Sequence, residues 1–177
     1  MFESLKSRRS VRSFTDKEVE AAKLDIILKS ALLSPTSMNK HCWEFIVVTD
    51  KEMLKSLSTC KAQGSAFLAD AAVGIVVIGD AELSDAWVED ASIASTNILN
   101  VTHSLGLGAC WAQFRNRFNG EVSSEDAIRK LLGIPAKYGV QCIIGIGYPK
   151  EVPAAYNEAD LLYDKLHDGK FGSKYSI

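Results

Sequence analysis

Nowhere in the 177 residues do two cysteines stand at the C-x-x-C spacing, and the four present, Cys42, Cys60, Cys110 and Cys142, are far apart. This removes the usual ligand spacing of structural zinc and of a redox dithiol. With three of the four in apolar or aromatic company, they read as reduced core thiols of a cytosolic protein. Long hydrophobic runs are missing as well. Val140 to Tyr148, the longest near the end of the chain, is far too short to span a bilayer, and the opening Met-Phe-Glu-Ser lacks the apolar core of a signal peptide. Nor is there an excess of positive charge. Twenty Lys and Arg meet 22 Asp and Glu, a net charge of −2, which excludes a surface built throughout to grip nucleic acid. No repeat and no low-complexity linker divides the chain, and 47% of it is hydrophobic. One domain over 1–177, soluble and cytoplasmic, is the expectation.

Phosphate-cradling loops are absent too. The Gly106-Leu-Gly-Ala-Cys-Trp111 stretch lacks a third glycine and runs from helix to strand, the reverse of the order that sets a pyrophosphate on a helix N-terminus. Gly145-Ile-Gly-Tyr-Pro-Lys150 follows a strand, but Lys stands where the third glycine belongs. No G-x-x-x-x-G-K-[ST] occurs. A nucleotide here must be held by another device.

What is present alternates between helical and strand periodicity. Thr15 to Glu18 reads as a capping box that starts a helix carrying Val19, Ala22, Ile26, Ile27 and Ala31, stopped by Pro35. Glu44–Thr49 is a strand, and a short helix follows Asp50. Ala72–Gly79 is a continuous apolar run of strand length and belongs at a sheet centre. Apolar residues recur from Trp87 to Leu105 at helical spacing, and Gly106 offers a left-handed stop. A strand at Ala109–Ala112, a helix at Ser124–Leu132 and a strand at Val140–Gly147 complete the pattern. Residues 150–177 mix Pro, Gly, Asp, Lys and Tyr without periodicity, so they fray or lie across another surface.

Lys6, Arg8, Arg9 and Arg12 crowd four cations into seven residues of a slightly acidic chain. Were this segment helical, Arg8 and Arg12 would share a face while Arg9 pointed about 100° away. Were the helix to end near Ser7, an extended Arg8-Arg9-Ser10 could converge on a phosphate through guanidinium forks and a hydroxyl. A second polar stretch, Ser34-Pro-Thr-Ser-Met-Asn-Lys-His-Cys-Trp43, follows a proline-cut helix. Its hydroxyls and the Asn39 amide suit the edge of a flat heteroaromatic ring.

The Arg8-Arg9-Ser10-Val11-Arg12-Ser13-Phe14 stretch resembles the N-terminal signature of the nitroreductase family, flavin enzymes that hold FMN at a homodimer interface. The loop Pro35-Thr-Ser-Met-Asn39, with Trp43 and Phe45 behind it, is similar to that family's second FMN motif. Ser104 to Trp111 and Ile146-Gly-Tyr-Pro149 resemble its third and fourth landmarks. The four occur in family order and cover nearly the whole chain.

The resemblance implies an α+β domain, a three-layer fold whose central, mostly antiparallel sheet is flanked by helices, paired as an obligate homodimer with residues 150–177 packed on the partner. It implies that Arg8, Arg9 and Ser10 take the phosphate and ribityl chain and that Arg12 approaches the pyrimidine edge. Pro35, Thr36, Ser37 and Asn39 would reach across the dimer, and Trp111, Ala112, Gln113 and Gly147 would border the ring. A cation at the pyrimidine edge favours negative charge there, which is how a protein tunes a cofactor that does the redox work itself. The implied activity is transfer of two electrons from NADH or NADPH to a nitroaromatic, a quinone or a similar acceptor in a ping-pong cycle. A related dehydrogenase or dehalogenase, a flavin binder without turnover, and a module docking acidic partners are the alternatives.

Two departures stand out. The family's usual Gln-Pro before the loop tryptophan is His41-Cys42 here, and its basic pair near the C-terminus is missing from Pro153–Asp160, which leaves Lys150, Lys165 and Lys170 as the remaining cations for a phosphate. His41 and Cys42 are adjacent and badly disposed as base and nucleophile. His103 and His167 have no second ligand one turn away, so no metal site is expected. Glu89 and Asp90 read as N-terminal charge on the long helix.

Overall fold

Strand β2 (Val73–Asp80) is buried at every position, as its unbroken apolar run requires of a strand covered on both faces. In the computed structural model, which describes residues 1–176, it pairs with β1 (Trp43–Val48) on one side and with β6 (Tyr138–Gly147) on the other. The edge strand β3 (Gly108–Gln113) lies against β6. The order is β1-β2-β6-β3, and every pairing is antiparallel.

Alternation along these strands builds two cores. Ile75, Val77, Ile144 and Ile146 face α2 (Ala21–Leu32) and α4 (Trp87–Ser104), whose Ile27, Ala31, Ala91 and Ile98 are fully buried. Val76, Ile78 and Ile143 face the opposite way, onto Leu54 and Leu57 of α3 (Lys51–Ser58), Leu68, and Ile128 of α5 (Ser124–Leu132). Local signals fix several boundaries. Asp50 caps α3 by accepting the Met53 N–H at 2.8 Å, Ser123 caps α5, and Gly133 ends it at φ 67. Trp87, at the start of α4, lies flat on the sheet because Gly79 and Gly139 leave room, and a Cβ at Gly139 would come within 2.2 Å of its ring.

Helix α2 corrects the expectation at Thr15. It begins at Ala21, and Glu20 precedes it with no side-chain cap. Residues 14–20 are instead extended against the end of β6: Phe14 bridges Pro149, the Thr15 N–H bonds the Tyr148 carbonyl at 2.8 Å, and Glu20 accepts the Tyr148 hydroxyl at 2.8 Å. Partners more than a hundred residues away outcompete the local box. A small hairpin of β4 (Phe118–Asn119) and β5 (Val122–Ser123), turned at Gly120 with φ 60, was not expected from the sequence. Among the described residues no helix is long and apolar enough to cross a membrane.

Candidate functional site

Helix α1 (Phe2–Ser7) ends where the arginines begin. Arg8 adopts φ −67, ψ 125, so Arg8-Arg9-Ser10 is extended, which decides between the two conformations open to the sequence. The segment then runs along the outer edge of β3, where Ser10 bridges Ala109 in parallel and the Val11 N–H bonds the Ala109 carbonyl at 3.0 Å. Gly108 permits that approach, since a Cβ there would meet Val11 at 2.7 Å.

Arg8, Arg9, Ser10 and Arg12 line a cavity of about 390 Å³ with Pro153 and Tyr156. Among the described residues, neither Arg8 nor Arg12 has a carboxylate partner. Unpaired cations held around a cavity fit a phosphate group. Lys150, Lys165 and Lys170 are not in its walls, and Lys165 pairs with Asp164 at 3.4 Å. Arg9 is held from the tail, its Nη1 donating to the Ala154 carbonyl and its guanidinium lying 4.4 Å from the centre of the Tyr156 ring. Behind the cluster, Ser7 Oγ and His103 Nε2 share a 2.7 Å hydrogen bond that ties α1 to the last turn of α4.

One strand residue on, Cys110 is buried beneath this group. Burial raises its thiol pKa, opposed by Arg12, Ser10, Lys61 and Arg8 around it. Lys61 had no signal in the sequence. Its Nζ donates to the Gln113 carbonyl at 2.9 Å, and burial, with Arg117 nearby, lowers its pKa. It therefore adds a partly buried cation that, like Arg12, lies near Cys110. Of the expected ring neighbours, Trp111 Nε1 donates to Gln113 Oε1 at 2.8 Å on the α4 side of β3, while Ala112 points into the other core. The outer strand edge presents the backbone of Trp111 and Gln113 but not that of Ala112, which pairs with β6. At Gly147 the absent side chain makes room for Phe14, whose ring atoms would lie 3.0–3.1 Å from a Cβ.

The second polar stretch is a tight loop at the opposite end of α4. Met38, Asn39 and His41 all have positive φ, 51, 55 and 49. Three left-handed non-glycine residues in four positions store strain that surrounding bonds must hold. Thr36 Oγ1 accepts the His41 N–H at 3.0 Å, Asn97 Nδ2 donates to Ser34 Oγ at 2.9 Å, and the buried Asp90 accepts the Ser37 N–H at 2.8 Å and the Cys42 thiol at 3.1 Å. Asp90 is thus the anchor of the loop, a role that its position near a helix start did not reveal. Burial, reinforced by Asp90, pushes the Cys42 thiol up to about 11, which rules it out as a neutral-pH nucleophile. Asp90 and His103 are thirteen residues apart on α4, about 20 Å along the axis. The loop and the arginines of one chain therefore lie at opposite ends of α4. No group of three or more His, Cys, Asp or Glu gathers as a metal site among the described residues.

The model of the nitroreductase family matches residues 5–66 and 59–148. A solved FMN-dependent nitroreductase from Clostridium difficile R20291 is 50% identical, superposes with a TM-score of 0.95, and is matched over 97% of this chain and 100% of its own. Two archaeal relatives bear the provisional name NADH dehydrogenase/NAD(P)H nitroreductase. That of Archaeoglobus fulgidus is 37% identical over 93% of this chain and 95% of its own, and that of Methanothermobacter thermautotrophicus 38% identical over 94% and 85%. Fold and site define an α+β protein with a cluster of arginines along an edge strand. The chain belongs to the nitroreductase family.

Proposed function

We propose that the chain is an FMN-dependent oxidoreductase, acting in the cytoplasm as a homodimer, that takes two electrons from NADH or NADPH and passes them to a nitroaromatic, a quinone or another electron-poor acceptor in a ping-pong cycle. The observation that carries this reading is the cavity beside β3, walled by Arg8 and Arg12, which have no carboxylate partner among the described residues, and placed at the other end of α4 from the Ser37–Asn39 loop. The name of the Clostridium difficile neighbour supports the choice of cofactor.

When bound, FMN supplies the hydride chemistry at its ring. The protein binds and orients. Arg8, Arg9 and Ser10 take the phosphate through charge-assisted bonds, and Arg12 with Lys61 places positive charge at the pyrimidine edge. Strand β3 is a sheet edge, so past Ala109 the backbone polar groups of Trp111 and the N–H of Gln113 point outward, where the ring would lie, while those of Ala112 pair with β6. Pro35, Thr36, Ser37 and Asn39 come from the second copy, since their own arginines lie at the other end of α4. The surface joining the copies includes Leu28, Leu32, Trp43, Phe45 and Val47, which line a cavity of about 460 Å³ between α2 and edge strand β1. Of residues 150–177, expected to pack on the partner, 152–160 instead lie against this chain's own Lys6 and Arg9, and 161–176, with Leu162 and Phe171 exposed, lie on the partner.

The test is spectroscopic. Purified protein supplied with FMN should be yellow, be bleached by NADH or NADPH without oxygen, and recover its colour on addition of a nitroaromatic. A folded chain that takes up no FMN would refute the reading, and colour that neither reductant bleaches would leave a flavin binder without turnover.

A further inference from the structure

We infer that Tyr156 is a positioning residue which, by holding Arg9 in the anion cavity, makes the site select a phosphorylated flavin over an unphosphorylated one. The inference rests on the FMN reading above and extends it to a residue of the tail.

The segment Val152–Asp160 carries no cation, yet it forms one wall of the cavity through Pro153 and Tyr156. It is tied in place at three points. The Tyr156 N–H bonds the Lys6 carbonyl at 3.0 Å, Lys6 Nζ pairs with Glu158 at 3.2 Å, and Asn157 and Asp160 close a reciprocal cap that stiffens the turn between them. On this fixed segment the Tyr156 ring lies under the Arg9 guanidinium at 4.4 Å, and the Ala154 carbonyl takes one of its N–H groups.

A guanidinium has five N–H donors in a plane. Stacking on an aromatic face fixes that plane without using a donor, and one bond to Ala154 leaves four for an anion. Arg9 would otherwise be a long side chain on an extended surface segment, and ordering it on binding would cost rotamer entropy. The tail thus contributes to anion binding by pre-orienting a cation encoded at the other end of the chain. Arg8 and Arg12 have no such clamp among the described residues. Because the reading above gives Arg9 to the phosphate, losing the clamp should weaken only ligands that carry a phosphate.

The experiment titrates FMN and riboflavin, by quenching of flavin fluorescence, into the full-length wild type, Tyr156→Ala, Tyr156→Phe, Arg9→Ala and the Arg9→Ala/Tyr156→Ala double variant. An exposed stack of this kind corresponds to about two- to fivefold in affinity. Tyr156→Ala should therefore weaken FMN by about that factor and leave riboflavin unchanged, while Tyr156→Phe, which keeps the ring, matches the wild type. In the Arg9→Ala background, adding Tyr156→Ala should change nothing. The inference is overturned if Tyr156→Ala spares FMN, if it weakens both flavins alike, or if its effect persists without Arg9. Wild-type protein that binds neither flavin overturns the FMN reading and this inference with it, whereas the other failures leave that reading intact.

Discussion

Asp90, in the first turn of α4, accepts the backbone N–H of Ser37 at 2.8 Å from a position that is only 3% exposed. That bond, with the Cys42 thiol on the second carboxylate oxygen, holds a loop containing three left-handed residues. Replacing Asp90 with Ala leaves the loop without its anchor and should cost about 1–3 kcal/mol. The loss should show as a lower urea midpoint together with weaker FMN uptake. Asp90→Asn keeps an acceptor for Ser37 and should fall between the two.

The same carboxylate raises the pKa of Cys42, after burial itself. With the thiol up near 11, alkylation of Cys42 in the native protein should be negligible at pH 7 and rise only in strong alkali. In Asp90→Asn the rise should move to lower pH. Rates followed by mass spectrometry of the Cys42 peptide check this, and an unchanged profile would show that burial alone sets the pKa.

Gly139 faces the Trp87 ring so closely that a Cβ would stand 2.2 and 2.4 Å from two of its carbons. Gly139→Ala should therefore displace the indole from the sheet and destabilise the fold by about 1–3 kcal/mol, the usual range for overpacking. Near-ultraviolet circular dichroism of the folded variant should report the altered tryptophan environment alongside the lower melting temperature.

Glu20 has its carboxyl held down to about 2, first by its own backbone N–H, then by Tyr148 and Lys17. A depressed carboxylate stabilises the fold above its unfolded pKa, here 4.5, and loses that contribution as pH falls toward 2. Tyr148→Phe removes one of the causes. Wild type should exceed the variant in urea midpoint at pH 6, and the gap should narrow as the pH is taken down from 4.5. A gap independent of pH would mean that the Tyr148 hydroxyl acts through its bond from Lys23 Nζ rather than through Glu20.

Where structure follows from residues near in sequence, it was legible. Asp50 and Gly106 marked helix ends, and the apolar run of β2 marked the sheet centre. Legibility failed where distant partners decide. Thr15 has the residues of a capping box, but its N–H goes to Tyr148, so α2 starts six residues later. The β4–β5 hairpin does carry an Asn119-Gly120 turn signal, but strands of two residues are too short to show alternation.

For the site, the arginines and the polar loop stood out as clusters. Lys61, Asp90 and Tyr156 did not. Each acts through a contact at least 48 positions away, with Gln113, Cys42 and Arg9 respectively, which no local pattern records. The extended course of Arg8-Arg9-Ser10 was one of two open conformations until the bridge to Ala109 settled it.

The central claim is that each cofactor site joins the arginines of one copy to the loop of another. Its most direct measurement is complementation. Arg8→Ala/Arg12→Ala and Asn39→Asp chains, each failing to retain FMN alone, are refolded together in equal amounts, and bound FMN is counted. Half of randomly paired dimers are then mixed and hold one intact site of two, so about a quarter of wild-type occupancy should return. If the mixture binds no more FMN than the two variants do separately, the site lies within a single chain and the account is contradicted.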